Sequence, residues 1–136
     1  MTFTTAESAA RSLPRVLVIE SDAHAALGLE DILAAEGFAV LTPQPTLDNY
    51  LRLLEEAKPD VAVLDLDPEA EIASPMAEKL VEHGIPFVLV TGERQVMRHG
   101  ALAGVEAFAK PAPPIALART LNRLLQEKTL RLMRAL

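Results

Sequence analysis

Acids, a hydroxyl and an ammonium stand where short apolar runs of this chain stop. Glu20-Ser21-Asp22 follows Val16-Leu17-Val18-Ile19, and Asp65-Leu66-Asp67 follows the run 61–64. Thr91, with Gly92 behind it, ends the run 86–90, while Lys110 follows 105–109 and precedes Pro111. These side-chain types suit phosphoryl transfer to a carboxylate. Hard oxygen ligands hold Mg²⁺, which keeps several waters and bridges protein acids to phosphate oxygens. A free carboxylate is the nucleophile of aspartyl-phosphate chemistry. An ammonium and a hydroxyl can stabilise charge on the phosphoryl oxygens. Taken singly, each acid or hydroxyl is equally well read as a helix cap. Four strand ends supplying the right groups in one chain are far more specific.

The elements that must position these groups follow from the spacing of apolar residues. Val16-Leu17-Val18-Ile19 is a continuous apolar run, the mark of a strand buried on both faces. Leu29, Ile32 and Leu33 then recur at helical spacing until Gly37, a helix stop. Residues 38–41 form the second expected strand, with Pro43 and Pro45 at its exit. Thr46 or Asp48 can cap a helix through Ala57 that carries Leu47, Leu51 and Leu54 on one face, and Pro59 closes it. The third strand is 61–64. Ser74-Pro75 suits the first turn of a helix ending near His83 and Gly84, and 86–90 is the fourth strand. A weakly patterned helix over 93–103 precedes the fifth strand at 105–109, and Pro113-Pro114 open a last helix carrying Leu117, Leu121, Leu124 and Leu125.

Five strands alternating with five helices predict an α/β fold, a parallel sheet covered on both faces. Right-handed crossovers narrow this to a doubly wound sheet, whose sites lie beyond the carboxyl ends of the strands. Glu20, Asp65, Thr91 and Lys110 would then share one crevice.

Composition bounds the rest. A chain of 136 residues, 50% hydrophobic, suits one domain with a real core. It has no cysteine, so disulfides and thiolate metal sites are excluded. Its longest apolar stretches are too short to span a bilayer, and the start lacks the apolar core of a signal peptide, so the expectation is a cytoplasmic protein. Net charge is −6, with 18 acids against seven Lys/Arg in 1–109 but only Glu127 against six bases in 110–136. An acidic body argues against nonspecific nucleic-acid binding. The basic tail (Arg119, Arg123, Lys128, Arg131, Arg134) suits a helix C-terminus, where each cation contributes roughly 0.3–1 kcal/mol through the helix dipole. His24, His83 and His99 are scattered without metal spacing and read as surface residues. There is no Gly-rich phosphate loop and no G-x-S-x-G elbow.

Val16-Leu17-Val18-Ile19-Glu20-Ser21-Asp22, Val63-Leu64-Asp65, Val90-Thr91-Gly92 and Lys110-Pro111 together resemble the four signature positions of response-regulator receiver domains. The resemblance covers about residues 14–126, with 1–13 read as a loose leader and 127–136 as an extended end of the last helix. The stretch from Pro75-Met76-Ala77 through Pro86 to Gly92 is similar to stand-alone receivers without an output domain. The resemblance implies a flavodoxin-like strand order 2-1-3-4-5. It makes Asp65 the phosphoacceptor, Lys110 the phosphate-contacting lysine and Thr91 the switch hydroxyl. It places Glu20 and Asp65 in the acidic Mg²⁺ pocket, with the Asp67 backbone carbonyl as a further metal ligand. The implied partners are a sensor histidine kinase or a phosphotransfer protein. Output would come through protein binding, with no enzymatic activity beyond self-phosphorylation and autodephosphorylation.

Departures from the family pattern are specific. The second of two usually adjacent acids is Ser21, a neutral and poorer ligand for a hard dication. Asp22 or the Asp67 side chain could compensate, and weaker Mg²⁺ binding is the expectation. Three positions before the lysine the family often carries Tyr or Phe; here it is Ala107, and Phe108 is offset by one, which in a strand turns it to the other face. Ala112-Pro113-Pro114 replaces the more usual Pro-Phe start. Asp67 and Glu93 occupy positions that tune phosphoryl lifetime in the family. These departures motivate an alternative, a degenerate receiver that binds partners without being phosphorylated. Asp65-Leu66-Asp67, Thr91 and Lys110 are also similar to the first three motifs of haloacid-dehalogenase-type phosphatases. That family needs further acids after the lysine, where only Glu127 remains, and its nucleophile normally opens the domain. Finally, Leu130, Leu132, Met133 and Leu136 exceed what one packed stripe requires. They read either as a surface for a homodimer or partner, or as a frayed tail.

Overall fold

A computed structural model describes residues 13–20, 23–43, 46–67, 70–92 and 100–136, without the side chains of 23–27. Ser21, Asp22, Glu93, His99 and the leader 1–12 therefore lie outside the described residues, as does the side chain of His24. The strands are β1 (Arg15–Glu20), β2 (Ala39–Leu41), β3 (Val61–Asp65), β4 (Phe87–Thr91) and β5 (Ala107–Ala109). The helices are α1 (Ala23–Ala35), α2 (Leu47–Glu56), α3 (Ala73–Glu82) and α4 (Pro114–Arg134), with a 3₁₀ turn at Gly100–Leu102. All pairings are parallel, and the five strands lie in the order β2-β1-β3-β4-β5. This is the expected doubly wound flavodoxin-like sheet. Of the five expected helices, four are α-helical among the described residues. The helix expected over 93–103 is described only from Gly100, where it is a 3₁₀ turn.

The period of two along each central strand sorts the core into two layers. Val16, Val18, Val61, Val63, Val88 and Val90 face one side, where they meet Leu33 and Phe38 and the α4 residues Leu117, Ala118 and Leu121. Leu17, Ile19, Ala62, Leu64, Phe87 and Leu89 face the other, against Tyr50 and Leu54 of α2, Met76, Ala77 and Leu80 of α3, and Leu102. β1, β3 and β4 are thus buried on both faces, which is why their sequences are continuous apolar runs.

Local chemistry sets the boundaries. Of the two candidate caps for α2, Thr46 is the one used, its hydroxyl accepting the Asn49 N–H at 3.2 Å. Gly37 and Gly84 sit at φ +96° and +68°, where a Cβ would be strained, and there the chain turns out of α1 and α3. Lys58 adopts φ +46° at the end of α2, so the helix has already turned before Pro59. The expected fifth strand loses its first two residues. Gly104 at φ +75° and the Val105 N–H bonded to Leu102 O hold 105 in a turn, although Glu106 O still accepts from Leu89. The fourth strand runs one residue later than expected, so Thr91 is its last member.

Candidate functional site

Glu20, Asp65 and Thr91 are the last residues of β1, β3 and β4, and Lys110 directly follows β5. Parallel pairing brings these ends to one edge of the sheet. Glu20 is the register partner of Asp65, and Thr91 that of Ala109, while the Lys110 N–H donates to Thr91 O at 3.1 Å. Glu20 and Asp65 are each 6% exposed and Thr91 2%; with Thr120 on α4 they are the buried polar residues among those described. The Lys110–Pro111 peptide is cis.

The Lys110 ammonium reaches over this edge. Its Nζ lies 2.8 Å from Asp65 Oδ1 and 3.9 Å from Glu20 Oε2. Two buried carboxylates therefore share one ammonium whose side chain is 46% exposed. Among the described residues two carboxylates thus meet one ammonium, an arrangement that further positive charge would stabilise. The donors are hard oxygens, which match a hard dication. Among the described residues no three acidic, His or Cys side chains gather into a metal cluster. A set of two carboxylates fits Mg²⁺, which is held by one or two such groups and retains its waters. Asp67, next after Leu66, is exposed, and its carbonyl accepts the Ala70 N–H at 2.9 Å. A carbonyl oxygen has a second lone pair, so that bond leaves it able to meet a cation. Asp22 and Ser21, the remaining residues named for the metal, lie outside the described residues.

The sequence-predicted residues Glu20, Asp65, Thr91 and Lys110 are thus brought to one edge. Ala107 packs toward the Leu89 side of the sheet and Phe108 toward the Val90 side, as the one-residue offset requires. The phenyl ring is on the face opposite Ala107.

One residue escaped the sequence reading. Tyr50, the only tyrosine of the chain, is 2% exposed on α2, and its hydroxyl donates to the Glu20 backbone carbonyl at 3.3 Å. Burial pushes its pKa up from 10.0, against the bond to Glu20, which lowers it. The available signal was the helical spacing. Tyr50 and Leu54 are the buried residues of α2, whereas Leu47, expected on the buried face, is 37% exposed.

No protein-family model matches this chain, and no curated protein does. Solved structures do. The signal receiver domain of a modulated diguanylate cyclase from Desulfovibrio desulfuricans G20 superposes with TM-score 0.75 at 25% identity, over 88% of this chain and 99% of that one. A CheY-like response regulator receiver domain protein from Methanospirillum hungatei JF-1 gives 0.70 at 25%, over 88% and 99%. For the response regulator StyR the values are 0.70 and 26%, over 91% of this chain but only 65% of that longer one. In fold and strand order the chain has the architecture of a response-regulator receiver domain, and receiver domains are among its structural neighbours.

Proposed function

We propose that this chain is a phosphorylatable receiver, in which Asp65 accepts a phosphoryl group from a sensor histidine kinase or a phosphotransfer protein in the cytoplasm. The observation that supports it is the buried Glu20–Asp65 pair with the Lys110 ammonium 2.8 Å from Asp65. In the step itself an Asp65 carboxylate oxygen bonds to phosphorus while the P–N bond of a donor phosphohistidine breaks, and the imidazole nitrogen recovers a proton from solvent. Glu20 and Asp65, with Asp22 and the Asp67 carbonyl, would hold Mg²⁺. The ion when bound neutralises charge between the carboxylates and the phosphoryl oxygens. Lys110 then exchanges its contact with the carboxylate for one with a phosphoryl oxygen, and Thr91 supplies a hydroxyl to another. Residues 14–126 form the receiver unit. Output is by binding to proteins, including a second copy through the end of α4, with no enzymatic step beyond the gain and loss of the phosphoryl group. Nucleic acid and membrane are not partners in this reading.

The competing reading is a receiver that binds without phosphorylation. It is favoured by Ala107, with Phe108 on the other face of β5, because the usual aromatic rotamer cannot report on Thr91. Intact mass after incubation with acetyl phosphate and Mg²⁺ separates the two. The expected result is a single phosphoryl gain, lost on chelation and in Asp65→Ala. No gain by a folded wild-type protein selects the phosphorylation-independent module.

A further inference from the structure

We propose that Tyr50 is a positioning residue for the acidic pocket: its hydroxyl bonds the Glu20 peptide at the end of β1, beyond the pairing with β2, and holds Glu20 against Lys110 and Asp65. This rests on the functional reading above. Carbonyls along a strand point alternately to its two neighbours. Pro14 O accepts from Ala39 at the start of β2, and Arg15 O accepts from Asp60 beside β3. Even-numbered carbonyls of this strand therefore face β2, and Glu20 O is one of them. But β2 pairs with β1 only as far as Leu17↔Leu41, three residues short of Glu20. Beyond that register β2 pairs no further with β1 among the described residues, and a buried carbonyl calls for a donor.

The donor comes instead from α2, the helix that follows β2. Tyr50 reaches the Glu20 carbonyl at 3.3 Å from within the layer that contains Leu17, Ile19 and Leu54. The ring is buried in the core and its hydroxyl tip meets the end of β1, beyond its pairing with β2. The peptide so held carries the Glu20 carboxylate, whose Oε2 stands 3.9 Å from the ammonium that also contacts Asp65. Loosening this peptide lets Glu20 drift from the pair and weakens the pocket for a dication, without touching the nucleophile.

The test uses the full chain and Mg²⁺ alone. Tyr50→Phe keeps the buried ring and removes only the hydroxyl. Leu54→Val thins the same helix face without reaching Glu20 and controls for stability. Amide shifts of Asp65 and Leu66 are followed as Mg²⁺ is added, together with the carbonyl ¹³C resonance of Glu20. Expected is an altered Glu20 carbonyl resonance in Tyr50→Phe and a Mg²⁺ midpoint at least about threefold higher than in wild type. Leu54→Val should lower the melting temperature and leave the midpoint in place. Equal midpoints in wild type and Tyr50→Phe, or an unchanged Glu20 resonance, overturn the proposal. A shifted midpoint in a protein that takes no phosphoryl group from acetyl phosphate would uphold this role and reject the phosphoacceptor reading. Absence of any Mg²⁺ response in the wild type rejects both.

Discussion

At the scale of single residues, the site is a matter of charge count. Two carboxylates at 6% exposure face one ammonium that is half in water, so Lys110 matters more to Asp65 than an ordinary surface cation would. Removing one partner of a buried ion pair costs about 3–5 kcal/mol, and solvent around a half-exposed partner reduces this. Lys110→Met should therefore cost about 1–2 kcal/mol of stability at neutral pH, and less than half of that in an Asp65→Asn background. Urea unfolding of the four members of the cycle checks it. Tyr50 makes a second, pH-dependent prediction. Its folded pKa is raised by burial, so above pH 10.0 the unfolded chain loses the phenolic proton before the native one does. The resulting stability is fully present below the unfolded value and falls as pH rises through the folded one. Between pH 9 and 11.5 the urea midpoint of wild type should drop more steeply than that of Tyr50→Phe, and parallel slopes would contradict it.

Individual elements are held by their ends. The Thr46 hydroxyl satisfies the Asn49 N–H at the start of α2, and Thr46→Ala should cost about 1 kcal/mol, read as a lower denaturant midpoint at unchanged slope. At the other end Lys58 sits at φ +46°, a conformation costing a side-chain-bearing residue about 1 kcal/mol. Lys58→Gly relieves that strain but loosens the unfolded chain by roughly 0.5 kcal/mol, so a net gain of about 0.5 kcal/mol is expected. Both ends bear on the site, because α2 carries the tyrosine that meets the end of β1.

For the whole molecule the question is where the core stops. Along α4, Leu117 and Leu121 are fully buried and Leu125 is partly so, but Leu132 on the same stripe is 62% exposed and Leu136 fully exposed. The helix outruns the sheet it packs on, carrying Leu130 and Met133 into solvent as well. Removal of 127–136 should thus leave the melting temperature within about 3 °C of wild type, since the residues lost are mostly exposed and the Arg123–Glu127 pair lies at the surface. If these residues join two copies, sedimentation of wild type should show a concentration-dependent mass that Leu132→Glu returns to monomer. A wild-type monomer at all concentrations would assign the extension to another partner or to none.

Much of this was legible in the chain itself. Short, β-branched continuous runs such as Val16-Leu17-Val18-Ile19 read as strands buried on both faces, so a parallel, doubly covered sheet follows from apolar spacing, and the residues ending those runs mark its working edge. Thr91, Asp65, Glu20 and Lys110 could be picked out because each ends or directly follows a strand, a one-dimensional property. What the sequence left open depends on distances between elements. Whether Thr46 or Asp48 caps α2 turns on a single hydroxyl geometry, and the 3₁₀ turn at 100–102 on weak local preference settled by packing. The tie from Tyr50 to Glu20 could not be read along the chain at all. It depends on β2 pairing with β1 only to Leu17↔Leu41, a register that lets the helix after β2 bring its hydroxyl to the Glu20 carbonyl.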